Sequence, residues 1–285
     1  MAKSIETSNA TYSDSIYIAR CGFIAEQENE YEELLDLWIS AKDFSGFAKI
    51  IIHFDAQNCL IAACIAHRMK NDPVTAFGYF KTARRAMAAL DTAVASRTAL
   101  PADTVFENEA HGIISAGSFY CLAICLLFDG EREGLQRMRG YLDLPFVSMH
   151  ASFQKDPDSD AAELRNLFAA WEGDLATVDL LTPPLEKVYK RYNIADIYTK
   201  LWRAVALRDS PMLDQLLPLA EEAYKKAARR REFDWYGGGK SYNQAMFDFY
   251  TTAVLKIAKG VGMHWTYGND NTKQIWPNDV IDFWG

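Results

Sequence analysis

The chain predicts an all-α protein, an irregular array of antiparallel helical hairpins of the α-solenoid-like or globular-bundle kind. Three observations carry that expectation. Four junctions share one grammar, in which a charged or aromatic residue leads into Asn, Asp or Gly and then a new amphipathic stretch: Met69-Lys70-Asn71-Asp72-Pro73, Phe128-Asp129-Gly130, Trp171-Glu172-Gly173-Asp174 and Arg208-Asp209-Ser210-Pro211. These are helix stop and start signals. Between them, apolar residues recur at intervals of three and four. No alternating strand pattern competes, and the uneven spacing of the junctions argues against a strict tandem repeat.

Residues 1–25 read as a leading segment and 26–285 as a single all-α domain, with a sub-boundary at 150–160. A first helix is expected near Asn29 to Ala41, with Tyr31, Leu34, Leu35 and Trp38 on one face and Glu28, Glu32, Glu33 and Asp36 on the other. The next, near Phe44 to Met69, is apolar almost all round and must be surrounded by other helices. Pro73, well suited to a first helical turn, opens a helix whose stripe is Ala76, Phe80, Ala83, Met87, Leu90 and Val94. A second all-apolar helix is expected near Glu107 to Phe128, and a shorter one over Glu131 to Leu142.

The acidic, turn-rich segment Lys155-Asp156-Pro157-Asp158-Ser159-Asp160 is the one plausible internal linker, and it leads into a helix carrying Leu164, Leu167, Phe168 and Trp171. Pro183-Pro184 is read as opening a long helix with Leu185, Val188, Tyr192, Ala195, Tyr198, Trp202 and Val205 on its face. Leu213, Leu216, Leu217, Ala220, Tyr224 and Ala227 mark the next. Its basic end, Lys225 to Arg231, suits the negative pole of a helix dipole. After the break Gly237-Gly238-Gly239, a last helix is expected from about Tyr242 to Lys259. The tail from Ile275 to Gly285 holds too many apolar residues to stay in water and is expected to dock on the body.

Composition narrows the function classes. The 285 residues include 49% hydrophobic and 24% charged residues, the profile of a globular protein. A net charge of −8 argues against direct nucleic-acid binding, which requires a basic face, and suits simple solubility first and a basic protein partner second. Cys21, Cys59, Cys64, Cys121 and Cys125 are odd in number and mostly embedded in apolar stretches, so reduced thiols are expected. No apolar run reaches the roughly 18 residues of a membrane span. The N-terminal stretch lacks an apolar core of signal-peptide length. The expected location is cytoplasmic.

Candidate chemistry is sparse. Tyr236-Gly237-Gly238-Gly239-Lys240-Ser241 lacks the upstream glycine of a phosphate-binding loop, since Asp234 stands there. Cys64 and His67, or Glu107 and His111, have helical spacings a metal could use, but no second cluster completes either set. Cys121 and Cys125 do not form a Cys-x-x-Cys redox pair. His53 and Asp55, two residues apart on one helix, do not face each other and read as satisfied buried polar groups. No nucleophile elbow occurs. The expectation is a non-enzyme with no catalytic, cofactor or metal residues.

Aromatic density is the stronger signal. Trp235, Tyr236, Trp265 and Tyr267 stand in glycine-flanked loops and are candidate interface anchors, although core packing accounts for most aromatics here. The acidic groups Glu28, Glu32, Glu33 and Asp36, and Asp156, Asp158 and Asp160, read first as solvated faces and second as steering charges for a basic partner.

Two segments carry a family resemblance. One is Asn71-Asp72-Pro73 leading into Phe77-Gly78-Tyr79-Phe80-Lys81-Thr82-Ala83-Arg84-Arg85-Ala86-Met87-Ala88-Ala89-Leu90; the other is Phe247 to Gly260 with the tail Trp276-Pro277-Asn278-Asp279-Val280-Ile281. Together they resemble the all-α immunity proteins of bacterial polymorphic toxin systems, most nearly immunity protein family 49. A looser likeness is to the immunity proteins that neutralise PoNe-type DNase toxins. The resemblance extends in layout over residues 45–285 and implies a cytoplasmic inhibitor docking on a cognate toxin, often a nuclease. It implies no catalytic residues. A tetratricopeptide-like adaptor that binds a protein or peptide is the alternative, and a homodimer is compatible with either.

Overall fold

The structure, a computed structural model, describes residues 56–99, 116–144, 159–191, 196–229, 247–268 and 275–284. Ten helices run through these residues and no strand occurs among them, so the all-α expectation holds. They are α1 (Gln57–Met69), α2 (Pro73–Thr98), α3 (Ala116–Phe128), α4 (Arg132–Tyr141), α5 (Ser159–Glu172), α6 (Leu175–Arg191), α7 (Ile197–Leu207), α8 (Ser210–Arg229), α9 (Phe249–Gly260) and α10 (Asn278–Asp282). No helix among the described residues is long and apolar enough to cross a membrane.

The junction grammar has one structural cause. Asn71, Gly130, Gly173 and Arg208 all adopt positive φ, at 52°, 73°, 78° and 57°, which reverses the chain at a helix C-terminus. At three of them the next residue's N–H returns five positions, Glu131 to Leu126, Asp174 to Ala169 and Asp209 to Ala204, and so closes orphan carbonyls. The acidic residue that follows then caps the next helix. Asp72 accepts the Thr75 N–H, Glu131 that of Gly134, Asp174 that of Thr177 and Asp209 that of Met212.

Chain contacts divide the protein into two compact units. One comprises the described residues up to Ala63 together with those of Phe77–Leu164; the other comprises Cys64–Ala76 and the described residues of Arg165–Trp284. In the first unit α3 is buried on every side, as an all-apolar helix requires, and α4 packs on it. The α2 stripe of Phe80, Ala83, Met87, Leu90 and Val94 is buried, with Phe80 edge-on to Phe128 at 5.3 Å. Arg84 bonds the Asp129 carboxylate and lies 3.2 Å from Glu131, tying α2 to the α3–α4 junction. The Tyr141 hydroxyl donates to Asp91 over 2.8 Å. Cys59, Cys64, Cys121 and Cys125 are buried and outside any disulfide, and Cys21 lies outside the described residues.

In the second unit α7 is the hub, packing against α6, α8 and α9, while α10 packs on α9. Ile197, Leu201, Trp202 and Val205 are buried along it. Three helix boundaries differ from expectation. Pro183 and Pro184 lie inside α6 and do not open it; Gly173 and Asp174 start that helix earlier. The two prolines forgo N–H bonds to the carbonyls of Asp179 and Leu180, and both of those residues are exposed. The long helix read from Pro183 through Val205 is two helices, since α6 ends at Arg191 and α7 begins after Asp196. The last long helix begins at Phe249 and not at Tyr242, because the Asp248 carboxylate caps it through the Thr251 N–H at 3.2 Å.

Candidate interaction surface

Of the residues nominated from sequence, the structure describes Trp265, Tyr267 and the backbone of Asp160, which falls in the first turn of α5. Glu28, Glu32, Glu33, Asp36, Asp156, Asp158, Trp235 and Tyr236 lie outside the described residues, as do His53, Asp55, Glu107, His111 and the glycine triplet.

Trp265 and Tyr267 sit on the loop after α9, which two carboxylates of α8 hold in place. Asp214 accepts the N–H groups of Thr266 and Tyr267 at 2.7 and 2.9 Å and the Thr266 hydroxyl at 2.9 Å. Burial alone would raise the Asp214 carboxyl, but these bonds hold it below its ordinary value. One turn pair further on, Glu221 accepts the Tyr267 hydroxyl and pairs with Lys225. That bond to Glu221, with some burial, pushes the Tyr267 phenol up. The Tyr267 ring lies 6.2 Å from that of Trp276. Tyr267 is thus a half-buried tie between α8 and the tail, while Trp265 is half-buried between exposed neighbours, His264 and Thr266.

The tail docks as expected, with Ile275, Trp276, Val280 and Ile281 all buried. Asp248, fully enclosed, accepts the Trp276 indole N–H at 3.2 Å, and its own N–H donates to the Ile275 carbonyl. Burial pushes the Asp248 carboxyl up. His67 Nε2 meets Asp279 at 2.8 Å. Burial acts to raise Asp279 too, but the His67 bond holds it below its ordinary value. Lys256, buried completely, donates from Nζ to the carbonyls of Val280 (2.6 Å) and Phe283. The same ammonium lies 5.7 and 5.1 Å from the ring centres of Phe283 and Trp284.

These contacts bring together aromatics that the sequence reading had not linked. Trp284 lies against Gly260, where an added Cβ would come within 2.7 Å of the indole, so glycine makes room for the ring. The Trp171 and Trp284 rings are 6.3 Å apart. Trp171 is held by Arg208, whose guanidinium donates to the carbonyls of Ala170 (2.7 Å), Trp171 (2.6 Å) and Val205 (2.7 Å). The signal was present as a Trp at a helix stop, a Gly ending α9 and a terminal Phe-Trp pair, but only folding joins them.

Among the described residues no three His, Cys, Asp or Glu side chains are grouped to hold a metal. His67, considered with Cys64 for that role, has its Nε2 engaged by Asp279. No family model matches the chain, and comparisons with curated proteins and with solved structures give no match.

Proposed function

We propose that this chain is a toxin-neutralising immunity protein that binds a cognate basic toxin, in the first instance a nuclease, and occludes its active site or substrate groove. The observation that carries the reading is how the ionisable side chains of the described residues are used. Arg84 with Asp129, Arg208, Asp214, Asp248 and Lys256 close helix ends, hold a loop or fix the tail. That use of charge to hold the fold supports a role in binding. The chain's net charge of −8 supports electrostatic docking on a basic groove, with carboxylates taking the positions of substrate phosphates. The likeness to immunity protein family 49 gives the role its biological frame. The reading implies a cytoplasmic location and no catalytic residues.

Affinity capture with the full chain from its native host, washed at rising salt and identified by mass spectrometry, tests the reading. It predicts one basic, toxin-like protein at near-equal amount, released as salt rises. Capture of many unrelated proteins contradicts it. The succession of neighbours α6, α7 and α8 favours a second reading, a tetratricopeptide-like adaptor, in which short synthetic peptides would retain the partner's affinity.

A further inference from the structure

We infer that residues 275–284 are an exchangeable strap, and that the seat holding them is a peptide-binding groove that takes the same segment from a second copy of this chain. The inference is independent of the toxin reading. It starts from how the tail is held. Trp276, Val280 and Ile281 are at most 2% exposed, yet α10 has only five residues and no side-chain cap at its Pro277 start. A helix that short does not hold its form alone in water, so the tail takes its shape from the seat.

The seat reads the segment at three points. Asp248 accepts the Trp276 indole N–H at 3.2 Å, His67 meets Asp279 at 2.8 Å, and the Lys256 ammonium donates to the carbonyls of Val280 and Phe283. Gly260 leaves room for the last ring, because a Cβ there would come within 2.7 Å of the Trp284 indole. Asp248 and Lys256 are both buried. Enclosing a carboxyl and an ammonium is costly unless each meets polar partners. A segment of similar apolar content, but without the indole and the two carbonyls, is therefore a poor occupant. The segment that fits is residues 275–284, and a second copy carries it.

These contacts do not depend on seat and strap being one chain. The connection Asn269-Asp270-Asn271-Thr272-Lys273-Gln274 carries no apolar side chain to bury. Opening the tail is a local event, cheaper than unfolding the body. In a reciprocal pair each tail remakes the same contacts on the other's seat, so the closed chain and the exchanged pair differ mainly by the cost of association. A connection this short holds the chain's own tail at an effective concentration on the order of millimolar. The resident tail thus shields the seat from micromolar competitors, and spoiling that tail should open the seat to them.

The test uses full chains and a fluorescein-labelled peptide of residues 275–285, read by anisotropy. Val280→Ser with Ile281→Ser spoils the strap and leaves the seat; Lys256→Met spoils the seat and leaves the strap. The strap variant should bind the peptide at least about tenfold more tightly than wild type, and adding Lys256→Met should abolish that binding. Mixing strap and seat variants should give a one-to-one heterodimer in sedimentation velocity, since one supplies the groove and the other the segment, while neither associates alone. Melting curves check each variant. Asp279→Lys for the strap, or Gly260→Val for the seat, replaces one that does not melt cooperatively. Equal peptide binding by wild type and the strap variant, binding that survives the seat substitution, or no heterodimer on mixing overturns the inference.

Discussion

Replacing Arg208 by glycine and by alanine separates two contributions at one residue. Arg208 ends α7 in the left-handed region at φ 57° while its guanidinium reaches three carbonyls across the α5 and α7 termini. Either substitution removes those bonds. Because the side chain is exposed and the carbonyls rehydrate, the loss is about 2 kcal/mol and not the several that three buried charge-assisted bonds would cost. Alanine keeps the left-handed penalty of about 1–2 kcal/mol that a Cβ incurs. Glycine escapes that penalty but returns about 0.4–1 kcal/mol through its freer unfolded chain. The order of stability is therefore wild type, then Arg208→Gly, then Arg208→Ala, with the last two separated by roughly 0.5–1 kcal/mol. Urea unfolding followed by circular dichroism at 222 nm measures it. Ordinary helix propensity predicts the reverse order, so an alanine variant equal to or firmer than the glycine variant would refute the junction account.

Three further outcomes follow from the tail and its clasp. Gly260→Ala gains about 1 kcal/mol of helix propensity but displaces the Trp284 ring; the melting temperature should move little, while iodide quenching of tryptophan rises. Unchanged quenching would mean that ring is not seated as described. Asp279 is held low by His67, so its contribution is present above the ordinary carboxylate range and is lost as pH falls through the lowered value. Asp279→Asn should flatten the acid limb of the stability profile, and an unaltered limb would contradict the pairing. Asp248 is raised by burial, so the folded state holds its proton more tightly and wild type loses stability relative to Asp248→Asn as pH climbs through the raised value. A constant difference between the two proteins from acid to neutral pH would rule that out.

The sequence displays the helical class and its junctions because both are written locally. Asn71, Gly130, Gly173 and Arg208 stand one step before their acidic caps, and the chain reverses at each. Tail docking was legible too, from the apolar content of residues 275–285 alone. The misplaced boundaries belong to signals with two meanings. Pro183-Pro184 resembles a helix start, yet a helix capped upstream runs through it, at a point where the residues that lose their hydrogen-bond partners are exposed. Asp248 looks like any acid within an amphipathic run; one carboxylate oxygen caps α9 locally, while the partner of the other, the Trp276 indole, is 28 residues away. Trp171, Phe283 and Trp284 were invisible as a group for the same reason: their adjacency depends on Gly260, Lys256 and Arg208, none of which signals it locally.

The most direct measurement of the central claim is growth. The basic protein captured with the chain is to be induced in a host lacking this chain, with and without the chain supplied on a second promoter. The account predicts arrest in its absence and rescue in its presence, with rescue requiring at least one chain per toxin. No arrest, or arrest that the chain fails to relieve at equal abundance, would contradict a toxin-neutralising role.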